Sequence, residues 1–152
     1  MNMAESVGNP RPMRLRVPIQ VRFGDLDALG HINNANYLAY FEVGRMAYLN
    51  QVLGVYRLQE IGFILAEMTV RYKAPGRLEA PLTLCLRVGE LRNSSFTFEY
   101  ELVETETGKL IATGTSVQVW YDYQRGQVVR IPAAIRERMR EFDGLEAEKQ
   151  GG

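Results

Sequence analysis

The chain has 152 residues, 46% of them hydrophobic and 24% charged, enough for one soluble globular domain with a real core and too few for two. Its 18 Lys and Arg balance 18 Asp and Glu, so no net positive field speaks for nucleic acid or an anionic membrane as a partner. A single cysteine, Cys85, rules out an internal disulfide and a zinc site built on thiolates, and it fits a reducing compartment.

In chain order, residues 1–13 carry Gly8, Pro10 and Pro12 and are expected to form a loose arm. The opening MNMAESVGNPRP has no apolar run long enough for a signal-peptide core, and nothing downstream is long enough to span a bilayer. The cytoplasm is therefore the expected location. Structure begins at Leu15, where Leu15, Val17, Ile19, Val21 and Phe23 alternate with polar residues, the period of a half-buried strand. Pro18 lacks an N–H for the ladder and marks that strand as an edge.

Over residues 34–53 the period changes. Tyr37, Phe41 and Tyr48 share a face, while Tyr40, Val43 and Ala47 carry apolar character round the cylinder, which predicts a mostly buried helix about 30 Å long. Asn33 or Asn34 suits the N-cap, Gly54 the stop, and Gly44 signals close approach of a neighbouring element. Strand-like runs follow over 64–73, 82–88, 96–102 and 110–121, with turn signals between them, and the last three make an antiparallel meander. Gln124-Arg125-Gly126 predicts one more turn. Pro132 opens a short helix with Ile135, Met139 and Phe142 on one face, and residues 144–152 trail off as a tail. The order predicts an α+β domain over residues 14–143, with a curved antiparallel sheet of about five strands around one long central helix.

The polar chemistry is concentrated in GDLDALGHINNANY, residues 24–37, between the first strand and the helix. A helix N-terminus offers unpaired N–H groups and the positive end of the dipole, a place for an anion or for an oxyanion forming from a carbonyl. Asp25 and Asp27 bring a carboxylate to the same spot, as general base for water or as nucleophile. The blander reading of these residues is caps and turn-formers, with Gly30 a turn glycine and His31 a packing residue. One histidine with no nearby cysteine leaves only carboxylates and amides, so no metal and no cofactor is expected.

The run Arg22-Phe23-Gly24-Asp25-Leu26-Asp27, then Gly30-His31-Ile32-Asn33-Asn34-Ala35-Asn36-Tyr37, then Tyr40-Phe41-Glu42 and Arg45, resembles the signature of the hot-dog-fold acyl-CoA thioesterases of the 4-hydroxybenzoyl-CoA thioesterase superfamily. The resemblance covers roughly residues 15–131, and it implies a hot-dog fold. Carried over by position, it puts the catalytic carboxylate on Asp27, the carbonyl-polarising backbone N–H on Asn34, and a loop-shaping role on Asp25. His31 would hold Asp27 or substrate, or pack at the helix entrance. In a second branch of the family the acid lies within the helix, which makes Glu42 the reserve candidate, though pairing with Arg45 explains it as well. The turn at Arg92 and Ser95 resembles the coenzyme A phosphate contact, without the several adjacent basic residues of some relatives. Arg71 and Lys73 are further contacts that no motif selects. The resemblance further implies an acyl-CoA substrate, a homodimer or homotetramer with sites at the subunit boundary, and neither nucleic acid nor membrane as partner. A hot-dog enoyl-CoA hydratase or dehydratase using Asp27 and His31, and a non-catalytic acyl or coenzyme A binding module, are the alternatives.

Overall fold

A computed structural model describes residues 11–146 of the chain. The elements run β1 (Leu15–Ile19), α1 (Asn34–Gln51), β2 (Phe63–Tyr72), β3 (Leu82–Leu91), β4 (Ser95–Glu104), β5 (Leu110–Asp122), β6 (Gln127–Val128) and α2 (Ala133–Asp143), with single 3-10 turns at Phe23–Asp25 and Leu58–Glu60. Residues 1–10 of the expected arm and 147–152 of the expected tail lie outside the described residues.

All pairings are antiparallel, and the sheet order is β1-β3-β4-β5-β2, with β6 on β5. The meander β3-β4-β5 follows from its short turns, and β1 lies at an edge as Pro18 requires. β1 stops at Ile19, short of the alternation that runs on to Phe23 in the sequence. Phe23 is 81% exposed because Asp25 folds the chain back on Arg22 into a 3-10 turn.

One face of the sheet is apolar. Leu84, Leu86 and Val88 on β3 and Phe96, Phe98, Tyr100 and Leu102 on β4 are buried. Tyr37, Phe41, Tyr48 and Leu49 of α1 join them in the same core, and each fully buried side chain of this size contributes roughly 1.5–3 kcal/mol. Gly44 lets α1 settle onto β3, since a Cβ there would run into the side chain of Leu84. The helix has 18 residues, about 27 Å at 1.5 Å per residue. It is less buried than its composition suggests: Leu38, Val43 and Met46 on its outer side are 47%, 47% and 38% exposed, because the sheet covers only one side of the cylinder.

α2 packs against β3, with Met139 fully buried and Phe142 edge-on to Tyr48 at 5.9 Å. Asp143, at its C-terminus, is fully buried and accepts from the Tyr48 hydroxyl at 2.6 Å and the Val88 N–H at 2.9 Å. Arg11 donates to the carbonyls of Val88, Gly89 and Asp143, so the chain is tied to this corner from Arg11 onward. Among the described residues no helix is long and apolar enough to cross a membrane.

Candidate active site

The loop from β1 to α1 is organised by Asp25. Its carboxylate is 2% exposed and accepts from the Arg22 N–H at 3.0 Å, the Arg22 guanidinium at 3.2 Å and the Tyr40 hydroxyl at 2.7 Å. Its carbonyl accepts from the Asn33 N–H at 2.8 Å and the Asn36 side-chain amide at 2.9 Å. Burial alone would raise this carboxyl; the hydrogen bonds from Arg22 and Tyr40 and the Arg22 charge together hold it below its ordinary value. Burial, followed by the Asp25 carboxylate, pushes the Tyr40 phenol up. Asp25 thereby fixes where α1 begins, the structural role the motif assigned to it.

Asp27 lies two residues on and is exposed. Its Oδ1 accepts from the N–H groups of Leu29 at 2.9 Å and His31 at 3.1 Å, while its main-chain N–H donates to the His31 carbonyl at 2.7 Å. Gly30 closes this tight turn at φ 78°, a conformation glycine adopts without steric cost. Oδ2 has no hydrogen-bond partner among the described residues. His31 thus holds Asp27 through its backbone and not through its imidazole.

The helix start is capped as the sequence predicts, by Asn33, whose side chain accepts from the Ala35 N–H at 3.1 Å and whose carbonyl accepts from the Asn36 N–H at 2.9 Å. The Asn33 N–H is itself spent on Asp25. That leaves the Asn34 N–H as the amide of the first turn without an acceptor among the described residues. It sits at the positive end of the helix.

A cavity of about 320 Å³ joins these groups. Its lining includes Asp27, His31 and Asn34 from the loop and helix start, Tyr37 of α1, Tyr72 at the end of β2 and Lys73 just beyond it. Two long-range contacts hold the walls together. The Tyr72 hydroxyl donates to the Asn34 carbonyl at 3.1 Å, and the Gly76 N–H donates to the Tyr37 hydroxyl oxygen at 3.2 Å. The two phenol rings meet edge-on at 5.1 Å. A carboxylate and a helix-end amide on residues that line one cavity are the two groups needed to attack and polarise a carbonyl.

Residues 21–139 match the sequence profile of the thioesterase-like superfamily. The chain belongs to that superfamily. It is 31% identical over 97 residues to the acyl-CoA thioester hydrolase YbgC of Escherichia coli O6:H1, covering 60% of this chain and 70% of the relative. It is 22% identical over 130 residues to the long-chain acyl-CoA thioesterase FadM of Escherichia coli K12, covering 84% and 98%. A thioesterase of Thermus thermophilus, solved with coenzyme A and Zn, superposes with a TM-score of 0.78 at 37% identity over 87% of this chain and 96% of that one. The resemblance to hot-dog thioesterases read from the motif is thus borne out.

In this thioesterase-like domain Lys73 lines the cavity, whereas the other sequence candidates Arg71, Arg92, Ser95 and Glu42 are not among its lining residues. Ser95 pairs with Val119, which pairs with Ile64, so it stands level with Ile64 on β2, eight residues and roughly 26 Å from Tyr72. Arg92 pairs with Glu90 at 2.8 Å, and its carbonyl accepts from Arg136 of α2 at 2.5 Å. Glu42 is exposed on the outer side of α1, and Arg45 is not its partner. The buried Arg45 guanidinium donates to the Tyr100 hydroxyl at 3.2 Å, and the chain of hydrogen bonds continues from Tyr100 to Ser116 at 2.5 Å and on to Gln118. No local signal marks this buried polar line, because its members come from three elements. Tyr37 and Tyr72 as cavity walls also escape the sequence reading. Tyr37 carries a signal, three positions from Asn34 on the same helical face; Tyr72 carries none. Among the described residues no group of three or more His, Cys, Asp or Glu side chains converges as a metal site.

Proposed function

We propose that this chain is an acyl-CoA thioesterase, hydrolysing a thioester to a free carboxylic acid and a thiol. The observation that carries this is one cavity lined by both Asp27, whose Oδ2 is open, and Asn34, whose N–H is unspent. With Asp27 as general base, its Oδ2 takes a proton from water as the water oxygen bonds to the thioester carbonyl carbon. The Asn34 N–H receives the resulting oxyanion, a contribution on the order of 10²–10³ in kcat. Collapse breaks the C–S bond, and the proton held on Asp27 passes to the leaving thiolate. With Asp27 as nucleophile, the same Oδ2 bonds to the carbonyl carbon as the C–S bond breaks and the thiolate leaves; water then hydrolyses the mixed anhydride, restoring the Asp27 carboxylate and supplying the proton that the thiolate takes up. The Leu29 and His31 amides hold Oδ1 in either route and leave Oδ2 free. His31 is among the residues that line the cavity.

Coenzyme A phosphates need positive charge, and the working unit supplies it by pairing. β2 is an edge strand with Leu65 and Tyr72 exposed, 45% and 48%, and an edge of ten residues needs cover. Antiparallel pairing with a second β2 about a twofold axis sets the Ile64 end of one strand against the Tyr72 end of the other. That brings the partner's Arg92 and the partner's Ser95 toward this cavity, where they meet the phosphates. The dimer, or a tetramer of two such pairs, also completes the hot-dog form in which the sheet wraps the central helix of the 14–143 domain. The chemistry needs no metal or cofactor, and neither nucleic acid nor membrane enters it. The cytoplasm is the compartment proposed.

The presence of His31 beside Asp27 in the lining of one cavity is the feature that favours a hydratase. Thiol release from a panel of acyl-CoAs, run beside hydration of an enoyl-CoA, separates the readings. Thiol release with no hydration supports the thioesterase. Hydration without thiol release moves the assignment to the hydratase, and binding without either product leaves a binding module.

A further inference from the structure

The residues lining the cavity include a second one with a donor proton to give, Tyr37. Tyr37 lies one turn along α1 from Asn34, on the same helix face; it is 2% exposed and is among the residues that line the cavity. The Gly76 N–H donates to its oxygen at 3.2 Å, while the hydroxyl proton has no acceptor among the described residues. Tyr72, the other phenol of the wall, differs in this respect, because its proton goes to the Asn34 carbonyl at 3.1 Å. A buried hydroxyl with an unspent proton is costly unless something accepts it. The hydrogen bond received from Gly76 also strengthens the one Tyr37 can give.

We propose that the Tyr37 hydroxyl is a catalytic residue that donates a hydrogen bond to the carbonyl oxygen of the acyl group, beside the Asn34 N–H, so that two donors receive the oxyanion. This rests on the Asp27 and Asn34 reading of the cavity. The proton stays on the phenol throughout, and no bond to it is made or broken. Burial raises this phenol above its ordinary value of 10.0, the Gly76 hydrogen bond opposes that, and the charges of Tyr72 and Asp27 add to it, so the neutral donor form persists into alkaline solution. The titratable and charged groups facing it are Asp27 and His31 from the loop, Tyr72 and Lys73 from the end of β2, and Tyr40 from α1 itself.

The test measures thiol release from an acyl-CoA by two variants of the full chain: Tyr37→Phe, and a protein carrying 2,3,5-trifluorotyrosine at position 37, whose phenol is more acidic. The proposal expects Tyr37→Phe to lose about 10²-fold in kcat with KM changed by less than about threefold. It also expects the alkaline fall of kcat to move to lower pH in the fluorotyrosine protein, because a phenolate cannot donate. A role confined to accepting the Gly76 N–H would survive in the phenolate and leave that limb in place. A folded Tyr37→Phe protein with kcat within about threefold of the parent, or an alkaline limb that does not move, overturns the proposal. If Tyr37→Phe does not fold, the fluorotyrosine limb decides alone. A parent that releases no thiol sinks the functional reading and this proposal together, whereas an active parent with an inactive Asp27→Asn and an active Tyr37→Phe sinks this proposal only.

Discussion

Asp25 and Asp27 are two residues apart and are used in opposite ways, and the difference lies in how many of their lone pairs the fold consumes. Asp25 is buried and spends both oxygens on Arg22 and Tyr40. Asp27 is exposed and spends only Oδ1. Asp25→Ala leaves the buried Tyr40 hydroxyl and the Arg22 N–H without their acceptor, and chemical denaturation should show a loss of about 2–4 kcal/mol. The pH dependence follows from the direction of its shift. Its folded carboxyl titrates below the ordinary 3.8, so its contribution is fully present above 3.8 and is lost as pH falls through the folded value. Thermal melts of the parent below pH 3.8 should therefore fall more steeply than those of Asp25→Asn; parallel curves would contradict the assignment. Asn33, by contrast, is an ordinary cap. Asn33→Ala should cost about 1 kcal/mol, together with some activity through the position of the Asn34 amide.

At the scale of elements, α2 is secured to α1 and β3 through a buried carboxylate. Burial raises the Asp143 carboxyl, and the Tyr48 hydroxyl, the Val88 N–H and the charges of Arg11 and Arg14 oppose it only in part. Its sign is opposite to that of Asp25. The folded state holds this proton at pH values where the unfolded chain has released it, so the contribution is full below 3.8 and declines as pH rises through the folded value. Melting temperatures of Asp143→Asn should lose that decline above pH 3.8 while keeping the acid limb due to Asp25. At Gly44, substitution by alanine forces the fully buried Leu84 to move, and a cost of about 1–3 kcal/mol is expected in denaturant titrations. These elements also show what the sequence discloses. Gly44, Pro18 and the Asn33 cap are legible because each is a local constraint on its own helix or strand. The end of β1 at Ile19 is not, since the alternation continues to Phe23 and only the hydrogen bonding of Asp25 breaks it. Asp143 and Arg136 carry no local signal of their burial, because it depends on β3 and on the turn at Arg92.

At the scale of the whole molecule, the site is an assembly of distant parts. Asp27 and Asn34 stand in one motif and can be read together, whereas Tyr72 reaches Asn34 across 38 residues and Gly76 reaches Tyr37 across 39. No spacing rule in the sequence encodes those meetings; they follow from β2 running along the sheet edge to end beside the start of α1. Arg92 and Ser95 rest on resemblance, and their absence from the cavity lining of one chain is the functional reason for the proposed oligomer. Sedimentation at micromolar concentration should find at least a dimer of the 17.3 kDa chain, and a lone monomer with full activity would remove the shared site. The central claim is narrower: the Asp27 carboxylate drives hydrolysis of a thioester held against the Asn34 amide. Its most direct test is the rate of thiol release from an acyl-CoA by Asp27→Asn, which keeps the size of the side chain and removes its charge. The account predicts a folded protein with kcat reduced by about 10² or more and nearly unchanged substrate binding. A folded Asp27→Asn protein with near-normal kcat would contradict it, and an inactive Glu42→Gln beside it would move the carboxylate into the helix.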